Sequence, residues 1–429
     1  MSYPRMLRIK QIFETAPPIA DIPTAVRYEL ERLELSDIRR GETVAITAGS
    51  RGISNVAAIT KIVVEELEAM GAVPFIVPAM GSHGGATSDG QLDILRQHGI
   101  TEESMGVPIR SSMETVQIGE TLGFPVYMDK IASEADHIAL IARIKPHTDF
   151  RAEIESGFYK MMAVGLGKHK GAVTCHRAFV RHGYQKVLEN VGRELLKTGK
   201  IAFGLGVVEN AYEQTARVGL ALPEEMEREE KRLLSLAKSW MMKLPFNDID
   251  VLVVDEMGKD VSGDGMDPNV IDRFAPETLD MSCGPKIVRL VVLDLTEESR
   301  GNAIGIGRAD FTSKRLVEKI DRQATYVNAL TSLAPESAKI PPYFNTDREA
   351  IDAALSTVDT IEPGVAKLVR IRNTLVLGEV EVSEAYAPLL ENRKDLLQLS
   401  EPKELQFDQY GNLPPLKPWS PDPKQHSFR

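Results

Sequence analysis

Three apolar runs early in the chain, TVAITA (Thr43–Ala48), VPFIVPA (Val73–Ala79) and HIALIARI (His137–Ile144), each give way at once to glycine, proline and charged residues. Apolar runs of that length bounded by turn-forming residues read as buried strands. The first turns at Gly49-Ser50-Arg51-Gly52 and enters a helix at about Ser54–Met70. The second turns at Gly81-Ser82-His83-Gly84-Gly85, and Thr87 or Ser88 can cap a helix running to about His98. Strand, glycine turn, helix is the opening of an α/β unit, with helices covering a parallel or mixed sheet. Ligands of such sheets bind beyond the carboxyl ends of the strands, where both turns lie.

The rest of the chain continues this alternation. A helix is expected within residues 19–34, a short strand at Pro125–Met128, a helix at about Phe179–Lys197 and a strand at Ile201–Val208. Pro223–Lys243, with its charge run Glu224 to Lys231, reads as a solvated helix and a plausible connector, Pro223 suiting a first turn. After Pro245 a second α/β set begins. Its strands are expected at Asp250–Asp255, Ile287–Leu295 and Thr374–Val382, and its helices at Ser313–Tyr326 and Asp347–Ser356. The expected architecture is α/β: two α/β domains, residues 1–244 and 245–400, with mixed or parallel sheets and an active site in the interdomain cleft. A proline-rich tail, residues 401–429, is expected to wrap the surface or to be loose.

Charge narrows the partners. The net charge is -11, so nucleic acid and membrane surfaces are not expected partners. The two cysteines, Cys175 and Cys283, suggest no disulfide framework, and neither a signal peptide nor a transmembrane run is visible, so a cytoplasmic location is expected.

Against that acidic background the stretch Ile144–Arg177 (IKPHTDFRAEIESGFYKMMAVGLGKHKGAVTCHR) stands out as basic and punctuated by glycine. It suits a small anion. His147 lies at a strand end, Lys160 follows Ser156-Gly157, Lys168-His169-Lys170 cluster after Gly167, and His176 lies just before the next expected helix. His83 sits among small residues where a ligand can reach it, and its near-neutral pKa suits acid/base work. Arg51 can fork onto a carboxylate or phosphate, although a tight turn with a surface arginine explains it equally well. There is no HExxH and no CxxC, so spacing alone does not establish a metal. His137 reads as a satisfied core or edge residue, His98 as a helix C-terminal residue, His182 as early in a helix, and Cys175 as a small buried residue. The loop Glu256–Asn269 (EMGKDVSGDGMDPN) lacks the spacing of a calcium loop, leaving substrate contacts or loop structure.

With GSRG, GSHGGAT, KPH and ESGFYK followed by His176 in this order, the chain resembles the nickel-dependent lactate racemase family over essentially its whole length. The resemblance implies a nickel pincer nucleotide, a pyridinium mononucleotide that holds nickel through two thio-acyl sulfurs and a ring carbon. It makes Lys160 the tethering lysine, His176 the nickel ligand, and His83 and His147 the acid/base pair. It makes Arg51 the substrate-carboxylate residue and puts Ser50 and Lys168 near the cofactor. In the second domain Lys259, Asn269 and Arg273 are substrate-binding candidates. The implied activity is racemisation or epimerisation at C2 of a 2-hydroxy acid, with hydride passing to and from the cofactor. Cofactor-biosynthesis proteins are implied as maturation partners, and a homo-oligomer is left open. Thr148, Asp149, Arg151, Glu153 and Glu155 make the segment between His147 and Lys160 longer and more polar than in the lactate enzymes, which points to a sugar acid or dicarboxylate. A nicotinamide-dependent oxidoreductase is the alternative, but no GxGxxG follows a strand. A non-catalytic nickel-nucleotide binder would need only Lys160 and His176.

Overall fold

The computed structural model describes residues 2–32, 37–50, 52–148, 150–274, 284–359 and 362–416. Arg51, Asp149, Cys283 and His426 lie outside them. The chain divides into two compact units, Thr15–Met241 and Met1–Glu14 with Met242–Arg429.

In the first unit β2 (Thr43–Ala48), β3 (Val73–Pro78), β6 (His137–Arg143), β7 (Ile201–Glu209) and β8 (Thr215–Ala221) form a five-stranded sheet in the order β3-β2-β6-β7-β8. The β2–β3, β2–β6 and β6–β7 pairs are parallel and β7–β8 is antiparallel. Near-continuous apolar runs form these strands because helices cover both faces of the sheet. Val44, Ile46, Ile76 and Leu205 pack into one core, and Ala45, Val77, Leu140 and Val208 into another. Because β2, β3 and β6 run parallel, the segments after Ala48, Pro78 and Arg143 leave the sheet at the same edge. A separate antiparallel hairpin joins β4 (Thr115–Thr121) to β5 (Phe124–Asp129).

The second unit holds an eight-stranded sheet. It begins with β1 (Met6–Gln11), the first strand of the chain, which lies between β14 (Glu379–Ser383) and β15 (Leu396–Gln398). β9 (Asp248–Val254) pairs in parallel with β10 (Lys286–Val292) and β13 (Leu368–Ile371), while β13–β14 and β14–β1 are antiparallel. Both sheets are therefore mixed, as the alternating pattern implied. Among the described residues no helix is long and apolar enough to cross a membrane.

Several elements differ from the sequence reading. The helix expected from Phe179 begins at Lys168: one helix spans Lys168–His182 and a second Tyr184–Leu196, separated at Gly183 (φ 81°). His176 therefore lies within a helix rather than before one, and His182 ends a helix rather than starting one. The helix expected from Pro223 runs Met226–Trp240. Ser313–Tyr326 is split into Lys314–Lys319 and Arg322–Thr331, because the Asp321 side chain accepts the Ala324 N–H and starts a new helix there. Thr374–Val382 is a strand only from Glu379, and Leu368–Ile371 was missed as a strand. The described part of the tail is docked. Lys403 bridges to Met6, the Leu413 N–H donates to Asp347 Oδ2 (2.9 Å), and Arg370 donates to the Pro414 carbonyl (2.6 Å).

Candidate functional site

The three strand-end segments converge on one irregular helical segment. Phe158–Lys160 makes a short helical turn, and Met161–Gly165 follows as a π-helical turn before the Lys168–His182 helix. π-turns are uncommon and often accompany functional sites. Glycine at 165 is required here, since a Cβ would lie 2.7 Å from the Ala79 carbonyl oxygen. The Gly81 N–H also donates to Gly165 O (3.3 Å), so the π-turn packs directly beneath the GSHGG turn. On the other side a Cβ on Gly49 would meet Met161 Cε at 3.3 Å. The turn that carries Lys160 is thereby wedged against the ends of β2 and β3.

His147 comes to Lys160 from the end of β6. A pair of backbone bonds between Lys145 and Ser156 (3.0 and 3.3 Å) closes the segment between them into a loop. Buried Glu155 holds that loop from inside: it accepts the His147 N–H (2.6 Å), the Ala152 N–H (2.8 Å) and the Lys238 ammonium (2.5 Å). With its backbone fixed, the buried His147 places Nε2 2.7 Å from Lys160 Nζ. Ser156 Oγ is 3.4 Å from the same amine. The His147 ring stacks on Phe150 (4.4 Å), Phe150 on Tyr184 (4.3 Å) and Tyr184 on Phe179 (4.6 Å). His176 abuts Phe179 at 5.6 Å, so an aromatic ladder connects the two histidines.

His83 is exposed on its turn, and its Nδ1 hydrogen-bonds the Ser50 hydroxyl. The structure thus couples the GSRG and GSHGG turns through these two side chains. His98, at a helix C-terminus as expected, also contacts the Ser50 carbonyl (3.1 Å), and Arg143 donates to the Gly52 carbonyl (3.2 Å). Glu209 adds an acceptor for the Ser54 N–H (2.5 Å) and an ion pair with Arg143. Arg51 itself lies outside the described residues.

Other expected residues sit differently. Lys168, put near the cofactor by the resemblance, is wholly buried and ion-paired with Asp129 (2.9 Å). Desolvation in the core pushes its pKa down, and the neighbouring Asp129 carboxylate opposes that. Its neighbours His169 and Lys170 are exposed, with Lys170 lying over the Tyr127 ring at 4.2 Å. Cys175 is buried as expected, and burial pushes its thiol up to about 12. His137, which opens the central strand β6, is satisfied by Glu42 at 2.9 Å.

In the second unit Lys259 Nζ donates to Gly263 O (2.5 Å) and Asn328 Oδ1 (3.0 Å). The Asn269 amide donates to Asp267 (3.0 Å), and Arg273 spans Arg308 O (2.7 Å) and Asp310 (2.7 Å). The aspartates of the 256–269 loop serve loop structure: Asp260 accepts from Thr296 (2.5 Å) and Asp264 from Arg308 (2.6 Å). Sequence reasoning missed Gln91 and Asp129 and gave Glu155 to substrate polarity and Glu230 to a solvated face, whereas all four are buried polar residues on which the site rests. Among the described residues no group of three or more histidine, cysteine, aspartate or glutamate side chains is assembled as a metal cage.

Residues 4–187 match the lactate racemase N-terminal domain. Over that span, somewhat under half of its length, the chain is similar to the lactate racemase family. The matched residues include every strand-end segment of the site just described, from GSRG to the His176 helix. In structure the chain is similar to the lactate racemase apoprotein from Thermoanaerobacterium thermosaccharolyticum, with a TM-score of 0.53 at 14% identity over 85% of this chain and 94% of that one. At that identity the likeness shows a shared fold. Comparison of the sequence with curated proteins gives no match.

Proposed function

We propose that this chain is a racemase or epimerase acting at C2 of a 2-hydroxy acid with a nickel pincer nucleotide tethered to Lys160. The observation that carries the reading is the pairing of Lys160 Nζ with His147 Nε2 at 2.7 Å, in a turn wedged against the strand ends of a segment that matches the lactate racemase N-terminal domain. A tethering lysine must lose a proton before its nitrogen can act as a nucleophile, and the imbalance is met by an imidazole acceptor in contact with it. The donor set also fits. Such a nucleotide brings sulfur and carbon donors of its own, so the chain need add only one amine and one imidazole. Lys160 supplies the amine from its helical turn and His176 the imidazole from the helix that follows the π-turn, and a neutral imidazole is a suitable nickel ligand. When bound, the group would accept and return the hydride of the substrate's α-carbon.

The chain's own residues orient the substrate and move protons. His83 and His147 come from separate strand ends, and each would take or give the substrate hydroxyl proton from its own side. The Ser50 hydroxyl on His83 Nδ1 and the Glu155 carboxylate on the His147 backbone restrict how each ring is presented. Arg51 would hold the substrate carboxylate as a bidentate partner.

The substrate class is narrowed by the segment between His147 and Lys160. Glu155 is buried beneath His147, and Glu153 pairs with Lys231 (2.9 Å) on the Met226–Trp240 helix. Part of the added polarity therefore builds the loop. Thr148 and Arg151 remain as the residues that would favour a polar sugar acid or dicarboxylate over lactate. The test is to produce the chain together with the cofactor-making enzymes, measure intact mass and nickel, and assay racemisation over a panel of 2-hydroxy acids. An adduct on Lys160 with turnover of a polar 2-hydroxy acid is the expected result. Absence of the adduct removes the cofactor, and turnover of lactate alone removes the polar substrate.

A further inference from the structure

Lys168, Gln91 and Asp129 are each fully buried, and none of them has a part in the chemistry above. They come from three separate elements: the Lys168–His182 helix, the Ser88–Gln97 helix and the end of β5. The Lys168 ammonium lies 2.9 Å from Asp129 Oδ2, and donates to the Pro78 carbonyl at 2.6 Å and to Gln91 Oε1 at 3.2 Å. Two of the ammonium's three protons thus go to the Pro78 and Gln91 oxygens, and the charge is met by the Asp129 carboxylate as an ion pair. Gln91 then turns its amide the other way. Nε2 donates to the Gly81 carbonyl at 2.9 Å and makes a longer contact to the His83 carbonyl at 3.4 Å. Asp129 completes the anchor, its Oδ1 accepting the Ala132 N–H (3.0 Å) and its own N–H donating to Leu166 O (2.7 Å).

Burying a charged pair among apolar residues is costly, and a hydrophobic trio of the same volume is often at least as stable. The best-attested use of such a network is to specify one arrangement over others. What this one specifies is the backbone on either side of His83. That turn is built on glycine, Gly81, Gly84 and Gly85 all having positive φ, and beside its own backbone bonds (Gly81 N–H to Gly165 O at 3.3 Å, His83 N–H to Met80 O at 3.1 Å) the Gln91 amide ties its Gly81 and His83 carbonyls to the buried pair. The same ammonium begins the helix that carries His176, and Lys168 itself has a φ of 53°, an uncommon conformation for a residue with a side chain.

We propose that Lys168, Gln91 and Asp129 form a buried positioning relay for His83, which fixes the turn carrying this imidazole to the helix carrying His176. The inference rests on the function proposed above, in which His83 transfers a proton. The three residues are positioning residues, because they reach the reacting atoms only through the His83 turn. Gln91 is the discriminating member. Glutamate there keeps the shape and an acceptor for Lys168 but lacks the two N–H donors that hold the Gly81 and His83 carbonyls.

The test compares Gln91→Glu and Gln91→Met with the native chain, all produced with the cofactor-making enzymes and shown by intact mass to carry the same adduct. Loss of position at one acid/base group is expected to lower kcat by about 10- to 100-fold with KM changed by less than about threefold. Histidine-selective 15N NMR of the chain without cofactor reads the same effect directly. The His83 resonances and their titration should move in Gln91→Glu, while those of His147 stay where they are. If Gln91→Glu fails to fold, Gln91→Met carries the same comparison. Native kcat with an unmoved His83 titration in a folded Gln91 variant overturns the relay. If the native loaded chain turns over no 2-hydroxy acid, the proposed function falls, and the His83 titration alone then decides the relay.

Discussion

Lys160 Nζ and His147 Nε2 are 2.7 Å apart, from opposite ends of a loop whose two strands meet at Lys145 and Ser156. The amine and the imidazole share one proton-bearing contact, so a change at either is felt by the other. Lys160→Ala should abolish the mass adduct outright, and Lys160→Arg should do so while keeping the positive charge, because a guanidinium stays protonated at neutral pH. His147→Gln keeps an acceptor near the amine, so the adduct should still form, while turnover should fall by about 100- to 10,000-fold as an acid/base group is lost. Intact mass and steady-state rates on the same samples separate these outcomes. An adduct on Lys160→Ala, or undiminished turnover by His147→Gln, contradicts the assignment.

His176 occupies the middle of the Lys168–His182 helix and leans on Phe179. If it supplies the protein's imidazole to nickel, His176→Ala should leave the Lys160 adduct in place and lower the nickel-to-protein ratio after dialysis, by roughly the 10- to 100-fold or more expected for removing a metal contact. His169→Ala, on the exposed side of the same helix, is the control and should change neither quantity. Equal nickel retention in native and His176→Ala protein would falsify the ligand assignment.

The glycines of the GSHGG turn have unequal work. Gly84 (φ 67°) faces the next helix so closely that a Cβ would lie 2.5 Å from the Gly90 carbonyl carbon. Gly85 (φ 65°) has nothing within 4 Å of that position. Gly85→Ala therefore costs only the left-handed backbone, about 1–2 kcal/mol. Gly84→Ala adds a clash with backbone that cannot rotate away, and a total of about 3 kcal/mol or more is expected. Urea midpoints of the two variants should differ clearly. Equal midpoints would show that the turn yields where this geometry has it rigid.

The positions of these turns were legible in the sequence for a simple reason. Strands such as Thr43–Ala48 and Val73–Pro78 are buried on both faces, so they read as unbroken apolar runs, and the chemistry follows where the run stops. What supports the site was not legible. Lys168 looked like part of a basic cluster because Lys168, His169 and Lys170 are adjacent, whereas the fold sends the first inward and the other two outward. The helix that starts at Lys168 has a stripe of small apolar residues at helical spacing, Ala172, Cys175, Ala178 and Phe179, and the basic residues around them drew the reading toward an anion site instead. Glu230 was taken for part of a solvated face, and here a signal existed. It stands four residues after Met226 and three before Leu233, on the same side as the buried Met226, Leu233, Leu234 and Ala237. A carboxylate in an apolar stripe is a buried carboxylate, and the charge run around it concealed the register.

That carboxylate gives the last prediction. Glu230 lies beneath the turn that carries Lys160, accepting the Tyr159 N–H at 2.9 Å, and a Cβ on Gly157 would collide with its other oxygen. Desolvation pushes its pKa from 4.5 up to about 8, against the pull of the backbone N–H groups it accepts. An acid whose folded pKa is raised keeps its proton in the folded state at pH values where the unfolded chain has lost it. Its contribution is then most favourable below about pH 4.5, is eroded as pH climbs toward 8, and is level above that. Across that window the change is on the order of a few kcal/mol. Glu230→Gln keeps an acceptor for the Tyr159 N–H and never ionises. The stability of the native chain relative to Glu230→Gln, from urea unfolding, should therefore decline between pH 5 and 8, values chosen to span the shift. A difference that stays constant across that range would mean that Glu230 ionises as an ordinary carboxylate, and that the turn beneath Lys160 rests on a charge.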